Sequence, residues 1–249
     1  MARAAVLGRL TWRSATLQST RAETETARTL TWHVPGWAGH LPGQHVDLRL
    51  TAPDGYTAQR PYSIGSAPAE DTFDLTVEAA SGGEVSPFLV EDARPGVSVE
   101  FRGPLGGWFV WRPEQPDPVQ LIAGGSGLVP VMSMLRTHRA GHRNSEMRLL
   151  YSTRTPASML YADELTEQPA RAGETLDVVY TRGRPASHPR PPRRLDATDL
   201  ARYVIPASRD PLCYVCGPTP FVEAVTAELL GQGHDKDRVR AERFGAGGT

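Results

Sequence analysis

Over the first hundred residues, short runs rich in Val, Leu, Thr and aromatic residues alternate with Pro/Gly turns: Ala27 to Val34, His45 to Leu50, Phe73 to Glu78 and Val97 to Arg102. That spacing predicts an all-β sandwich or antiparallel β-barrel. The pattern stops at Trp111-Arg112-Pro113-Glu114-Gln115-Pro116-Asp117-Pro118, where three prolines remove backbone donors and break both helix and ladder. Beyond it the apolar run Val119 to Ala123 reads as a buried parallel strand. Leu128, Val131, Met132 and Leu135 follow at helical spacing. Further strands are expected at Met147 to Tyr151, Leu176 to Tyr180 and Leu212 to Cys216, with Val239 ending a last one. Helices are expected near Tyr161 to Glu167, Ala197 to Tyr203 and Pro218 to Leu230. The alternation predicts a doubly wound parallel α/β domain over residues 117–249, after a β domain over residues 1–113.

Composition narrows the function mainly by exclusion. The 249 residues suffice for two domains that each bury a core. The net charge of -1 balances 27 basic against 28 acidic residues, so no global field favours nucleic acid or an anionic membrane. No stretch approaches the roughly 18 apolar residues of a membrane span, and Met1 to Leu10 lacks the apolar run of a signal peptide, which reads as cytoplasmic. Cys213 and Cys216 are the only cysteines, too few for an iron-sulfur cluster or an all-cysteine zinc site. No metal site is expected, and any such cluster belongs to a partner.

Three motifs carry candidate chemistry. In Arg60-Pro61-Tyr62-Ser63 the proline requires extended backbone before it, and strand alternation then presents Arg60 and Tyr62 on one face and Ser63 on the other. Arg offers a fork of donors suited to a phosphate, and Tyr offers a stacking surface. Pro42-Gly43-Gln44-His45 upstream resembles a strand-entry motif, and Ser81-Gly82-Gly83-Glu84-Val85-Ser86-Pro87-Phe88-Leu89 resembles a Gly-rich turn and helix start. A helix start presents free N–H groups to phosphate, which makes Gly83, Val85 and Ser86 candidate donors. Gly124-Gly125-Ser126-Gly127 lies between strand and helix, where backbone N–H groups can converge on a pyrophosphate. It departs from the usual dinucleotide fingerprint, with Pro130 where the third Gly would stand. In Cys213-Tyr214-Val215-Cys216-Gly217-Pro218 the two thiols point to opposite strand faces, so a redox pair is rejected and Cys213 is expected in the core. Gly103 to Trp108 reads as a plain turn carrying a packed Trp.

In this order and at these intervals the motifs resemble the ferredoxin-NADP reductase superfamily, in which a flavin domain is followed by a nicotinamide dinucleotide domain. The resemblance implies FAD in preference to FMN, with Arg60 on the pyrophosphate, Tyr62 stacked on the ring, Ser63 near flavin N5 and Pro61 within the same motif. It implies that Gly125, Ser126 and Gly127 cradle the dinucleotide, while Cys216, Gly217 and Pro218 position its hydride-donating carbon. Thr181-Arg182, with Arg154, resembles the pair that contacts a 2′-phosphate, favouring NADPH over NADH. By position Phe244 would shield the flavin and Glu242 would be its acidic neighbour, on a tail that returns to the ring. The implied activity is hydride transfer from NAD(P)H to FAD, then single-electron transfer to a separate acceptor: a ferredoxin, an oxygenase component or a molybdenum oxidoreductase. Arg184, Arg190, Arg193 and Arg194, in the Arg/Pro-rich stretch 182–194, could dock an acidic acceptor. A free-flavin reductase and a non-enzymatic NAD(P)H-sensing or electron-transfer subunit are the alternatives.

Overall fold

A computed structural model describes residues 10–141, 146–167 and 173–244. The N-terminal segment read for a signal peptide falls almost wholly outside these residues, as does the chain end from Gly245.

The first half forms a six-stranded antiparallel sheet of β1 (Arg13–Ala22), β2 (Ala27–His33), β3 (His45–Thr51), β4 (Thr57–Ser63), β5 (Thr72–Glu78) and β6 (Ser98–Leu105). Its spatial order is β4-β3-β6-β1-β2-β5. The sheet curls around a core in which Trp32 and Phe73 each meet Phe101 edge-on, at centroid distances of 5.1 and 5.2 Å. Curling brings the edge strands β4 and β5 together, yet among the described residues the bridge between them is an isolated one, Ile64 to Leu75. The barrel therefore has a seam. A short helix α1 (Val85–Pro87, continuing as a π turn over Phe88–Asp92) touches both edge strands.

Strand β1 was not expected, because its sequence is almost wholly polar: only Ala15 and Leu17 are buried. It is held by ladders to β2 and β6 on either side.

The second half is a parallel sheet of β7 (Val119–Gly124), β8 (Met147–Thr153), β9 (Glu174–Tyr180), β10 (Leu212–Pro218) and β11 (Val239–Phe244), in the order β11-β10-β7-β8-β9. Alternate residues of its strands feed two cores. Leu121, Ala123, Tyr214 and Cys216 pack on one side against α2 (Leu128–Ala140), together with Phe109 and Trp111 of the linker. Ile122, Cys213 and Val215 pack on the other against α4 (Ala197–Tyr203) and α5 (Thr219–Gly231). A shorter helix, α3 (Ala162–Glu167), follows β8. Val239 starts β11 rather than ending a strand, and the chain stays in the sheet through Phe244.

The strand order reverses between β7 and β10. Such a switch point opens a crevice at the carboxyl ends of the strands, where doubly wound sheets take their ligands.

Candidate functional site

The seam and the switch point face the same interface. On β4, Tyr62 lies opposite Val46 and Arg60 opposite Leu48, so both share the face of β3's buried residues, whereas Ser63 lies opposite His45 on the other face. Arg60 is exposed, and among the described residues its guanidinium donates to the carbonyl of Gln59 at 2.7 Å, which leaves most of its donors uncommitted there. Burial pushes the Tyr62 phenol up to about 12, against the opposing influence of Arg60, so it stays neutral. Ser63 is 6% exposed, and its Oγ has no hydrogen-bond partner among the described residues. A buried hydroxyl left unpaired costs on the order of 1–3 kcal/mol. This is the orphaned atom expected of a site whose ligand completes it.

Across the seam, the Ser86 hydroxyl accepts the Ala80 N–H at 3.1 Å and pins the Gly-rich turn. Gly83 differs from expectation, since its N–H is already spent on the Ala80 carbonyl at 3.0 Å. Val85 and Ser86 begin α1, where first-turn N–H groups lack intrahelical partners.

Gly125 to Gly127 form a 3-10 turn at the end of β7, with Gly125 in the left-handed region at φ 55°. Gly127 is there for space: a Cβ on it would stand 2.3 Å from the Cys216 carbonyl oxygen. Gly124 and Gly217 likewise leave room for the Phe221 ring, which would come within 2.9 Å of a Cβ on either. The Gly loop and the Cys216-Gly217-Pro218 strand end are thus packed backbone to backbone.

Beside them, register pairs Cys216 with Glu242 and Pro218 with Phe244. Burial raises the Cys216 thiol well above its ordinary value, and Glu242 adds to the effect, so the sulfur keeps its proton. Burial also pushes the Glu242 carboxyl up to about 7, and its Oε2 has no partner among the described residues. The expected returning tail is therefore a sheet strand up to Phe244, whose ring packs on the second domain's core.

Thr181 and Arg182 continue the β8–β9 ladder, donating N–H groups to the carbonyls of Thr153 and Arg154 at 2.9 Å each. Arg154 and Arg182 are both exposed at this edge, and Arg154 reaches Glu78 of β5 at 3.5 Å.

Two further expectations are corrected. Arg190 is no docking residue: it is buried, pairs with Asp199 at 2.7 Å and donates to the carbonyls of Tyr180, Pro191, Arg193 and Arg194. Arg193 is likewise held by Asp196 and Asp199, so only Arg184 and Arg194 of the four are exposed. Trp108 is not packed but 60% exposed, with the Arg240 guanidinium 5.6 Å from its ring centroid. A cavity of about 690 Å³ between Leu50, Ala58, Phe88 and Val99 carries none of the expected site residues.

Comparison with known proteins decides the family. Residues 14–110 match the family described as oxidoreductase FAD-binding domain, and residues 121–227 the oxidoreductase NAD-binding domain. Ferredoxin-NADP reductase B of Sorangium cellulosum is 32% identical over 81% of this chain and 84% of its own length. The chain belongs to the ferredoxin-NADP reductase superfamily. Like others of that superfamily it joins an FAD-binding domain to a pyridine nucleotide-binding domain. The glycine betaine monooxygenase reductase subunit of Chromohalobacter salexigens is 32% identical over 82% of this chain, which spans only 56% of that relative. Among solved structures, the FAD/NAD-binding domain of Vibrio cholerae nitric oxide dioxygenase superposes with a TM-score of 0.83 at 25% identity, covering 94% of this chain and 99% of that one. Among the described residues of this superfamily member, no helix is long and apolar enough to cross a membrane, and no cluster of His, Cys, Asp or Glu could hold a metal ion.

The interface between the domains went unread in the sequence. Gly65, Arg136, Glu23 and Tyr161 hold it together, and no short motif marks any of them.

Proposed function

We propose that this chain is an NADPH-dependent flavoprotein reductase that delivers electrons singly to a separate redox protein. The observation that carries the reading is the buried Ser63 hydroxyl, unpartnered among the described residues, at the end of the seam strand, on the same domain interface as the Gly125–Gly127 turn, which touches β5. FAD, when bound, supplies the chemistry that accepts a hydride and releases electrons one at a time. The protein's part is to bind, orient and exclude.

Arg60, Val85 and Ser86 would hold the pyrophosphate from the two sides of the seam, Tyr62 would lie on the ring, and Ser63 would donate its free hydroxyl to it. Gly125, Ser126 and Gly127 would take the dinucleotide phosphates, and Cys216 to Pro218 would form the floor under the nicotinamide. The protonated Cys216 thiol offers bulk there without reactivity. Glu242, poised near neutrality, can hold or release a proton beside it. The exposed Arg154 and Arg182 support NADPH over NADH.

Reductase relatives that serve oxygenases support an iron-sulfur ferredoxin or an oxygenase component as acceptor. A molybdenum oxidoreductase would meet the same chemical need. The test is an absorbance spectrum of the purified protein before and after anaerobic NADPH or NADH. Bleaching of a bound yellow pigment, faster with NADPH, is expected, whereas a colourless protein that cannot be reconstituted with FAD sinks the reading.

A further inference from the structure

Helix α2 begins at the Gly125–Gly127 turn and runs along the segment that follows Ser63. Val129, Ser133 and Arg136 lie on one face of it at helical spacing. A Cβ on Gly65 would stand 3.3 Å from Val129 Cγ1. Ser133 Oγ donates to the Ser66 carbonyl at 2.6 Å, and Arg136 Nη1 donates to the Gly65 carbonyl at 2.7 Å. On its other side the same segment is fastened to its own domain: Ile64 N–H donates to Gln44, and Gly65 N–H to Asp74.

Arg136 is itself held. Its Nε and Nη2 grip the Glu164 carboxylate, with Nη2 at 2.5 Å, and its guanidinium lies 4.5 Å from the Tyr161 ring centroid. Tyr161 is anchored across the interface at both ends. Its N–H donates to Glu23 at 3.0 Å and its hydroxyl to Thr76 at 2.6 Å, while Thr29 joins Glu23 and Thr76. These links run from Glu23 and Thr76 through Tyr161 and Arg136 to the Gly65 carbonyl, two residues from Ser63.

We infer that Arg136 is a positioning residue: through the Gly65 carbonyl it fixes the flavin strand against the helix that starts at the nucleotide loop, and so sets the approach of the two rings. This rests on the functional reading above. The guanidinium supplies both the Glu164 fork and the bond to Gly65, a division of labour that suits Arg's planar set of donors.

The experiment compares Arg136→Met, which keeps the stem and removes the donors, with Arg136→Lys, which keeps one. In the flavin-free protein, amide exchange over residues 64–66 should rise about tenfold in R136M and return toward wild type in R136K. In the FAD-loaded protein, R136M should keep one FAD per chain and a nucleotide KM within about twofold, while flavin reduction at saturating nucleotide slows about tenfold. Unchanged exchange with an unchanged rate overturns the inference, as does a rate loss that merely tracks lost FAD. R136K behaving no better than R136M also overturns it. A wild-type flavoprotein that neither nucleotide reduces defeats the functional reading instead, and the exchange comparison then still decides whether Arg136 holds the segment.

Discussion

Replacing Gly127 with Ala tests whether the dinucleotide loop and the Cys216 strand end form one rigid unit. The added methyl would lie 2.3 Å from the Cys216 carbonyl oxygen, 2.4 Å from its carbon and 2.6 Å from Gly217 N. All three are main-chain atoms, so no rotamer change can relieve the contact. Ordinary contact at 3.4–4 Å requires the end of β10 and the loop to separate by about 1 Å, and a misplacement of that size can cost on the order of a hundredfold in rate. Overpacking adds about 1–3 kcal/mol of destabilisation, read as a Tm lowered by roughly 2–4 °C per kcal/mol. Gly125→Ala is the control. Its Cβ meets nothing within 4 Å, although φ is +55°, so it should cost about 1–2 kcal/mol of backbone strain without moving β10. Stopped-flow reduction at saturating NADPH, normalised to bound FAD, should fall about a hundredfold in G127A and only a few-fold in G125A. A G127A rate within threefold of wild type, or a G125A protein slower than G127A, refutes the reasoning.

Ser63→Ala should retain FAD and reduce it about tenfold more slowly, the value of roughly one hydrogen bond; an unchanged single-turnover rate would remove Ser63 from the site. Glu242 gives a pH signature in the flavin-free protein. Its folded-state value of about 7 lies above the ordinary 4.5, so its contribution is fully present below about pH 4.5 and is lost as pH rises toward 7. The loss is at most about 3 kcal/mol and smaller in so far as water reaches the side chain. Glu242→Gln should remove that slope from chemical-denaturation curves measured between pH 5 and 8, and identical slopes would contradict the assignment. Arg190→Met should cost about 3 kcal/mol or more by leaving Asp199 under-paired, whereas Arg194→Met should leave Tm unchanged; equal Tm values for both would mean that the Arg190 cluster does not support the loop.

The plan of an antiparallel β half followed by a parallel α/β half was legible because alternation and turns dominate where strands are half-buried, and because β7 and β10 are largely apolar, with Gln120 the polar residue of β7. β1 escaped because its register is imposed by neighbours on both sides rather than by its own side chains. Arg60, Tyr62 and Ser63 could be placed on faces from strand geometry alone. The fates of Arg190 and Trp108 could not: each depends on a partner distant in sequence or in orientation, Asp199 for one and Arg240 for the other. Local composition made Arg190 look solvated, yet its guanidinium closes the loop on itself. Glu242 was expected beside the flavin from its place near the chain end; its raised pKa comes from burial on β11, where it pairs with Cys216 of the neighbouring strand, and no linear spacing reveals that burial.

The seam has a consequence for the chain before it meets any cofactor. β4 and β5 are edge strands, and an unpaired edge is a template on which a second chain can add a strand. Ile64 donates inward to Gln44, so by alternation the nitrogen of Pro61 faces outward, where it has no proton to offer. The proline of the Arg60-Pro61-Tyr62-Ser63 stretch thus interrupts the donor row of that edge. A second chain laid along this edge would find one donor missing from its ladder.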